Sequence, residues 1–158
     1  MKKKRINYSA FLPVLVPLAV GMLVSLLCRE GIGQFCLLKK PPFSPPGWVF
    51  APAWLILYTL MGLASWRVRR SDNPTEDKRD ALYIYRLQLA LNLLWPPIFF
   101  SLKYYLAALL WLGLLWIAAE ICLVRFYRLD RRAGSMLLPY QIWLSFALYL
   151  NSGIFVLN

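Results

Sequence analysis

Apolar residues in this chain fall in long runs broken by short polar connections, not in the alternation of half-buried strands or the single stripe of a water-facing helix. Five runs, at roughly 10–27, 49–68, 81–102, 104–124 and 135–157, each approach the ~20 residues an α-helix needs to cross a ~30 Å hydrocarbon layer. A soluble chain of 158 residues is too short to bury five helices that are apolar all round. A bilayer removes that need, because each helix satisfies its own backbone and exposes its side chains to lipid. The pattern therefore predicts an all-α membrane protein, a compact bundle of five transmembrane helices forming a single domain over residues 1–158. Short connections predict antiparallel neighbours in sequence.

The first connection, at 29–47, is the exception. It holds Pro41, Pro42, Pro45 and Pro46 around Phe43, and proline fixes φ and removes an N–H donor. The stretch is expected to be stiff and extended, a lid over the outer mouth of the bundle rather than a plain spacer. The connection at 69–80 mixes charges of both signs and reads as a solvated turn. Trp48, Phe50, Trp66, Tyr104 and Tyr105 stand at the ends of apolar runs, where aromatic side chains anchor at the bilayer interface.

Polar side chains within such runs are costly and mark the bundle interior. The third run carries Arg86, Gln88 and Asn92, and Gln88, Asn92 and Trp95 share one face at i, i+4, i+7. Pro96 and Pro97 follow and should loosen the outer end of that helix. The second run offers Trp54, Tyr58, Met61 and Ser65 at helical spacing, and the fifth offers Tyr140, Trp143, Ala147, Leu150 and Asn151. With a rise of ~1.5 Å per residue, Trp54, Trp95 and Asn151 fall about 9 Å below the outer face. Asn92 falls near the midplane and Trp143 deeper. Interhelical hydrogen bonding accounts for Gln88 and Asn92 but not for a tryptophan beside a double proline, and a tryptophan stripe taken singly is more often packing than a ligand site. Convergence of the three stripes under a proline-rich lid suits a pocket for a flat hydrophobic ligand. Arg86 and Glu120 come to similar depths on adjacent helices, where they either pair or leave Arg86 to snorkel outward.

Charge settles the orientation. The chain is 60% hydrophobic yet has a net charge of +11. Lys2, Lys3, Lys4 and Arg5, then Arg67, Arg69, Arg70, Lys78 and Arg79, then Arg125, Arg128, Arg131 and Arg132 all fall on one predicted side. Arg29, Lys39, Lys40 and Lys103 fall on the other. The excess predicts a cytoplasmic N-terminus and an outward C-terminus, and it reads as contact with anionic lipid, not with nucleic acid. The first run is long for a signal-peptide core and lacks a small-x-small cleavage site, so it is read as a retained helix. Cys28, Cys36 and Cys122 make no metal-binding spacing and histidine is absent, so no metal site is expected. Cys28 and Cys36 stand near the outer face, placed for one disulfide.

The run Lys40-Pro41-Pro42-Phe43-Ser44-Pro45-Pro46-Gly47-Trp48, continuing to Pro52-Ala53-Trp54 and Tyr58, resembles the first-loop and second-helix signature of the translocator protein (TspO/MBR) family. Asn92-Leu93-Leu94-Trp95-Pro96-Pro97-Ile98-Phe99-Phe100 is similar to its third-helix signature, and Pro139-Tyr140-Gln141-Ile142-Trp143 with Phe146-Ala147 and Leu150-Asn151 to its fifth. The lysine-rich start and short length look like a bacterial member, which implies the bacterial cytoplasmic membrane. The resemblance implies a five-helix bundle that binds porphyrins and other hydrophobic small molecules under the first loop, with no cofactor required. It further implies roles in tetrapyrrole transport, sensing or light-dependent breakdown of protoporphyrin, with Trp54 and Trp143 as the tryptophans of that chemistry. Asn92 and Trp95 match pocket positions. The animal members' sterol motif after the fifth helix has no counterpart here. A homodimer is allowed for, with Gly21-xxx-Ser25 as the clearest small-residue seam.

Three functional classes follow: a porphyrin-binding receptor, sensor or transporter; a light-dependent porphyrin-degrading enzyme; and a structural or partner-binding membrane subunit. The bundle runs hold no paired carboxylates, nucleophile constellation or metal ligands of the kind that conventional hydrolytic catalysis uses.

Overall fold

The computed structural model describes residues 11–158, so the basic start, which supplies part of the orientation argument, lies outside the described residues, as does the side chain of Cys36. Within them the chain is helical throughout, with no strand. It comprises α1 (Phe11–Leu27), α2 (Arg29–Gln34), α3 (Phe50–Arg70), α4 (Thr75–Pro96), α5 (Tyr105–Leu129) and α6 (Arg131–Leu157). Short 3-10 turns occupy Phe35–Leu37 and Gly47–Val49, and a π-helical turn occupies Pro97–Ser101. Three segments are long and apolar enough to cross a membrane, namely Gly47–Arg70, Tyr105–Leu129 and Arg131–Leu157, and Leu12–Leu27 is a shorter apolar helix.

Six helices are described where five were expected. The extra one, α2, lies in the stretch read as extended. No proline precedes Pro41 there, and the Ile32 N–H donates to the Cys28 carbonyl at 2.9 Å, so the chain resumes a helical path directly after α1. The extended part is confined to the proline-rich residues that follow. Helix α4 starts at Thr75, earlier than the expected 81, because Glu76 and Asp77 occupy its first turn, where negative charge complements the helix dipole. Helix α6 likewise starts at Arg131 and not 135, since Asp130 caps it. The Asp130 Oδ1 accepts from the N–H groups of Arg132 at 2.8 Å and Ala133 at 3.1 Å.

Asp130 also accepts an ion pair from Arg67 of α3 at 2.8 Å, while Asn73 Nδ2 donates to the Leu129 carbonyl at 2.8 Å. The two connections at this end are thereby clamped together. Burial would raise the Asp130 carboxyl, but the Ala133 N–H, the Arg67 guanidinium and the Arg132 N–H outweigh it and hold the pKa below the usual carboxylate value.

Side-by-side packing runs α1–α3–α6–α5–α4 and back to α1, a closed ring, with α3 and α4 touching across it. Sequence neighbours α3 and α4 thus sit on opposite sides of α1. Close approach of α1 to α3 needs Gly62, where a Cβ would stand 2.5 Å from the Val14 Cα and 2.7 Å from the Pro13 carbonyl oxygen. Gly21 also faces inward, since a Cβ there would lie 2.5 Å from the Tyr58 ring, so it does not supply the outward dimer seam expected of it. Inside the ring, Met61, Leu112, Leu115, Phe126 and Leu144 are buried. Outward, Leu110 and Ile142 are 69% and 70% exposed.

Arg86 and Glu120 do not meet. The ion pairs among the described residues are Arg67–Asp130, Arg79–Asp80 and Arg125–Asp80, the last two at 4.0 Å. Helix α4 turns Tyr85 toward α5, where its ring stacks on Phe126 at 5.8 Å, and Arg86 beside it is left exposed. Cys28 is a buried free thiol that accepts from Ser101 Oγ at 3.6 Å, so the expected disulfide is not formed.

Candidate ligand site

Three helices that are not all sequence neighbours build the site from helical spacing alone. Tyr58 of α3 donates its hydroxyl to Asn92 Oδ1 of α4 at 2.7 Å. Asn92 Nδ2 donates to the Tyr140 hydroxyl of α6 at 3.0 Å, and Tyr140 donates back to Gln88 Oε1 of α4 at 2.9 Å. All four side chains are buried. Gln88 and Asn92, one turn apart, straddle the Tyr140 hydroxyl from the same helix face. In a low-dielectric interior such a chain strengthens each member and makes an unpaired one costly. The outlet is Gln88 Nε2, which has no partner.

One turn outward from Tyr58, Trp54 stacks on the Tyr58 ring at 5.2 Å and 27°. Trp54 meets Trp143 of α6 edge to face at 6.4 Å and 80°. The two indoles expected at different depths are therefore in contact, because their long side chains reach toward each other across the α3–α6 seam. Phe50 closes on Trp143 at 5.8 Å, so it is a wall of this cluster and not the interfacial anchor it was read as. Trp48 and Tyr104, by contrast, are 74% and 63% exposed, as anchors would be.

Trp95 parts company with the indole pair. It stacks on Phe99 at 4.9 Å and 23° and packs edge-on to Phe100 at 5.8 Å. Both rings project from the π-helical turn, where two prolines have removed the donors of an ordinary α-helix; Leu102 N–H there reaches the Pro97 carbonyl at 3.0 Å. Ala147 is half-buried against the same core as the indoles. Leu150 and Asn151 are buried, and both polar atoms of the Asn151 side chain lack partners.

The proline segment is docked on α6. Tyr149 donates its hydroxyl to the Pro42 carbonyl at 2.8 Å. The Lys39 N–H donates to Asn158 Oδ1 at 3.0 Å while Asn158 Nδ2 donates to the Lys39 carbonyl at 2.9 Å. Pro41 is buried on Gly153, where an added Cβ would fall 2.5 Å from the ring. Ser44 ties back to the Pro41 carbonyl at 2.7 Å. Pro45 is half-buried and Pro46 exposed. Phe43 takes φ 61° and is 91% exposed, pointing off the bundle. Lys40 Nζ sits 4.5 Å above the Phe35 ring, and Phe35 in turn packs on Phe50, Phe99 and Phe100. Through Phe35 the lid joins the Trp143 cluster to the Trp95 cluster. Sequence reasoning named none of Phe35, Phe99 and Phe100 as site residues; Phe99 and Phe100 stood only within the third-helix signature, and nothing marked Phe35.

Two cavities lie apart from this convergence. One of about 160 Å³ sits between α2 and the π-turn, walled by Phe35, Phe99, Phe100, Lys103 and Tyr105, below the roughly 300–1,000 Å³ of small-molecule sites. The other, about 520 Å³, is an open groove between Leu110 and Phe155. Neither has Trp54, Tyr58, Asn92 or Trp143 in its wall. The converging indoles, buried polar chain and docked loop mark the candidate site, and these spaces do not. Among the described residues no three His, Cys, Asp or Glu side chains cluster to hold a metal ion.

Helices with large apolar side chains exposed on their outward faces, three of them long and apolar enough to cross a bilayer, and a buried polar chain inside the ring define an integral membrane protein. The profile of the TspO/MBR family matches residues 13–157, and the chain belongs to that family. It is 37% identical over 142 residues to the tryptophan-rich protein TspO of Chlorobaculum tepidum, covering 89% of this chain and 90% of that one. It is 41% identical over 114 residues to the tryptophan-rich sensory protein of Cereibacter sphaeroides, covering 72% and 70%. With the human translocator protein it shares 40% identity over 123 residues, covering 77% and 73%.

Proposed function

We propose that the protein binds porphyrins and similar flat hydrophobic molecules between the Trp54–Trp143 pair and the docked proline loop, as a membrane receptor, sensor or transporter. The observation that carries the reading is the Trp54–Trp143 contact directly above the Tyr58–Asn92–Tyr140–Gln88 chain. Aromatic walls suit a large π-face and the polar chain limits how deep it sinks. Entry requires the loop to leave α6. In this reading α1, α3, α4, α5 and α6 each span the bilayer, with the Asp130 end in the cytoplasm and the loop outside. A reporter fused after Asn158 should then read as extracytoplasmic, and a cytoplasmic reading would reverse the topology.

The test of binding is a titration of the purified protein with protoporphyrin in the dark, read by quenching of tryptophan emission. Saturable quenching that weakens when Trp143 is replaced by Ala supports the site, and no saturation refutes it. Contact of the two indoles also favours a second reading, light-dependent breakdown of the bound porphyrin with dioxygen as oxidant and the indoles relaying an electron. A new absorbing product that needs both light and dioxygen selects the second reading over simple binding.

A further inference from the structure

Asn151 stands out among the buried amides. Asn92 has both side-chain atoms paired, and Gln88 and Gln141 each have one paired. Asn151 is 1% exposed, and neither its Nδ2 nor its Oδ1 has a partner among the described residues. Leaving both ends of an amide unmet inside a bundle is costly, and a merely structural position would not select it over leucine. Its place in α6 says what it faces. Tyr140, Leu144, Ala147 and Asn151 follow one another at four- and three-residue steps, so Asn151 stands on the inward stripe of Tyr140. It lies eight residues, about 12 Å, from Trp143 toward the lid, and only two residues before Gly153, on which Pro41 rests. Trp95, whose Nε1 is also buried without an acceptor, packs in the same cluster as Ile154, one turn beyond Asn151.

We propose that Asn151 anchors a polar subsite beneath the lid, taking a neutral group that presents a donor and an acceptor side by side. A carboxylic acid in its protonated form and a primary amide both have that edge. The asparagine carbonyl accepts from one position and its NH₂ donates to the other. A carboxylate fits less well, since it only accepts and is costly to bury. This assignment rests on the ligand site proposed above and names what the outer end of that site recognises.

The experiment compares protoporphyrin, its primary diamide and its dimethyl ester, titrated in the dark on the wild type, Asn151→Leu and Asn151→Ser. The ester can only accept. Wild type should prefer the acid or the amide over the ester by about five- to tenfold, and which of the two is preferred identifies the group. Both variants should bring the preference within about twofold while keeping ester binding. The serine variant guards against misfolding, because its hydroxyl can return to the Ala147 carbonyl one turn back. Melting of the ligand-free proteins is the second readout, and Asn151→Leu should melt no lower than wild type. An unchanged preference in both variants overturns the proposal. So does a lower melting temperature for Asn151→Leu, which would mean that the amide is satisfied within the bundle. If wild type binds none of the three compounds, the porphyrin reading falls, and the melting comparison still decides whether Asn151 is structural.

Discussion

Removing one phenolic oxygen from the buried chain should cost about twice as much at Tyr140 as at Tyr58. Tyr58→Phe deletes a single bond, its donation to Asn92 Oδ1 at 2.7 Å. Tyr140→Phe deletes two, the 3.0 Å bond received from Asn92 and the 2.9 Å bond given to Gln88. Both substitutions keep the ring, so packing is nearly constant. Interhelical side-chain bonds in a bilayer protein average about 0.6 kcal/mol with a maximum near 1.7. That gives about 0.6 kcal/mol for Tyr58→Phe and about 1.2 kcal/mol for Tyr140→Phe, with a penalty for the stranded Asn92 Oδ1 added to the first and for the stranded Asn92 Nδ2 and Gln88 Oε1 added to the second. Reversible unfolding in mixed micelles, followed by helical circular dichroism, measures both. Asn92→Leu breaks the Tyr58 and Tyr140 contacts together and strands the Tyr58 hydroxyl, so adding Tyr58→Phe to it should recover part of the loss. The reasoning fails if Tyr140→Phe costs no more than Tyr58→Phe, or if the Asn92→Leu and Tyr58→Phe losses simply add.

Trp54→Phe and Trp143→Phe keep an aromatic wall but remove the readily oxidised indole; porphyrin binding should survive within a few-fold while light-dependent product falls at least tenfold, measured by absorbance after illumination. Gly153→Ala puts a methyl into the Pro41 ring, 2.5 Å away, and should loosen the lid, seen as faster porphyrin release in stopped-flow quenching. Because Asp130 has a lowered pKa in the folded protein, its share of stability is fully present above about pH 4 and is lost as the pH falls through the folded-state value. Asp130→Asn should therefore destabilise the protein at pH 7 and lose its effect in strong acid, as thermal melts across pH will report.

Helix existence was legible because lipid-facing helices need no continuous polar face, so each run stayed mostly apolar, even the third with Arg86, Gln88 and Asn92 inside it. Their ends were harder to read. The starts of α4 and α6 are set by Glu76, Asp77 and the Asp130 cap, charged residues that a search for apolar runs discards. Site residues on α3, α4 and α6 were found because Tyr58, Asn92 and Tyr140 are polar or aromatic where the rest of each run is aliphatic. What the spacing could not supply was which rings meet. Helical rise put Trp54, Trp95 and Asn151 at one depth and Trp143 deeper, but side-chain reach across the α3–α6 seam joins Trp54 to Trp143. Phe35 was invisible for a different reason: its role depends on α2 folding back, and nothing in a proline-rich loop advertises a helix at its start.

The buried hydrogen-bond chain also constrains how the molecule is made. Tyr58 and Asn92 are 34 residues apart, and Asn92 and Tyr140 are 48 apart. Helices enter a membrane in order and assemble afterwards, so Asn92 and Gln88 reach the bilayer well before the Tyr140 that bridges them has been synthesised. Until α6 arrives, Tyr58 of α3 can meet Asn92 Oδ1, but Asn92 Nδ2 and Gln88 lack the Tyr140 hydroxyl that pairs them in the finished bundle. Helix α6 supplies Tyr140, Trp143 and every α6 contact to the lid at once. A nascent chain lacking α6 would leave Gln88 and the Nδ2 of Asn92 without the partner they have in the folded protein.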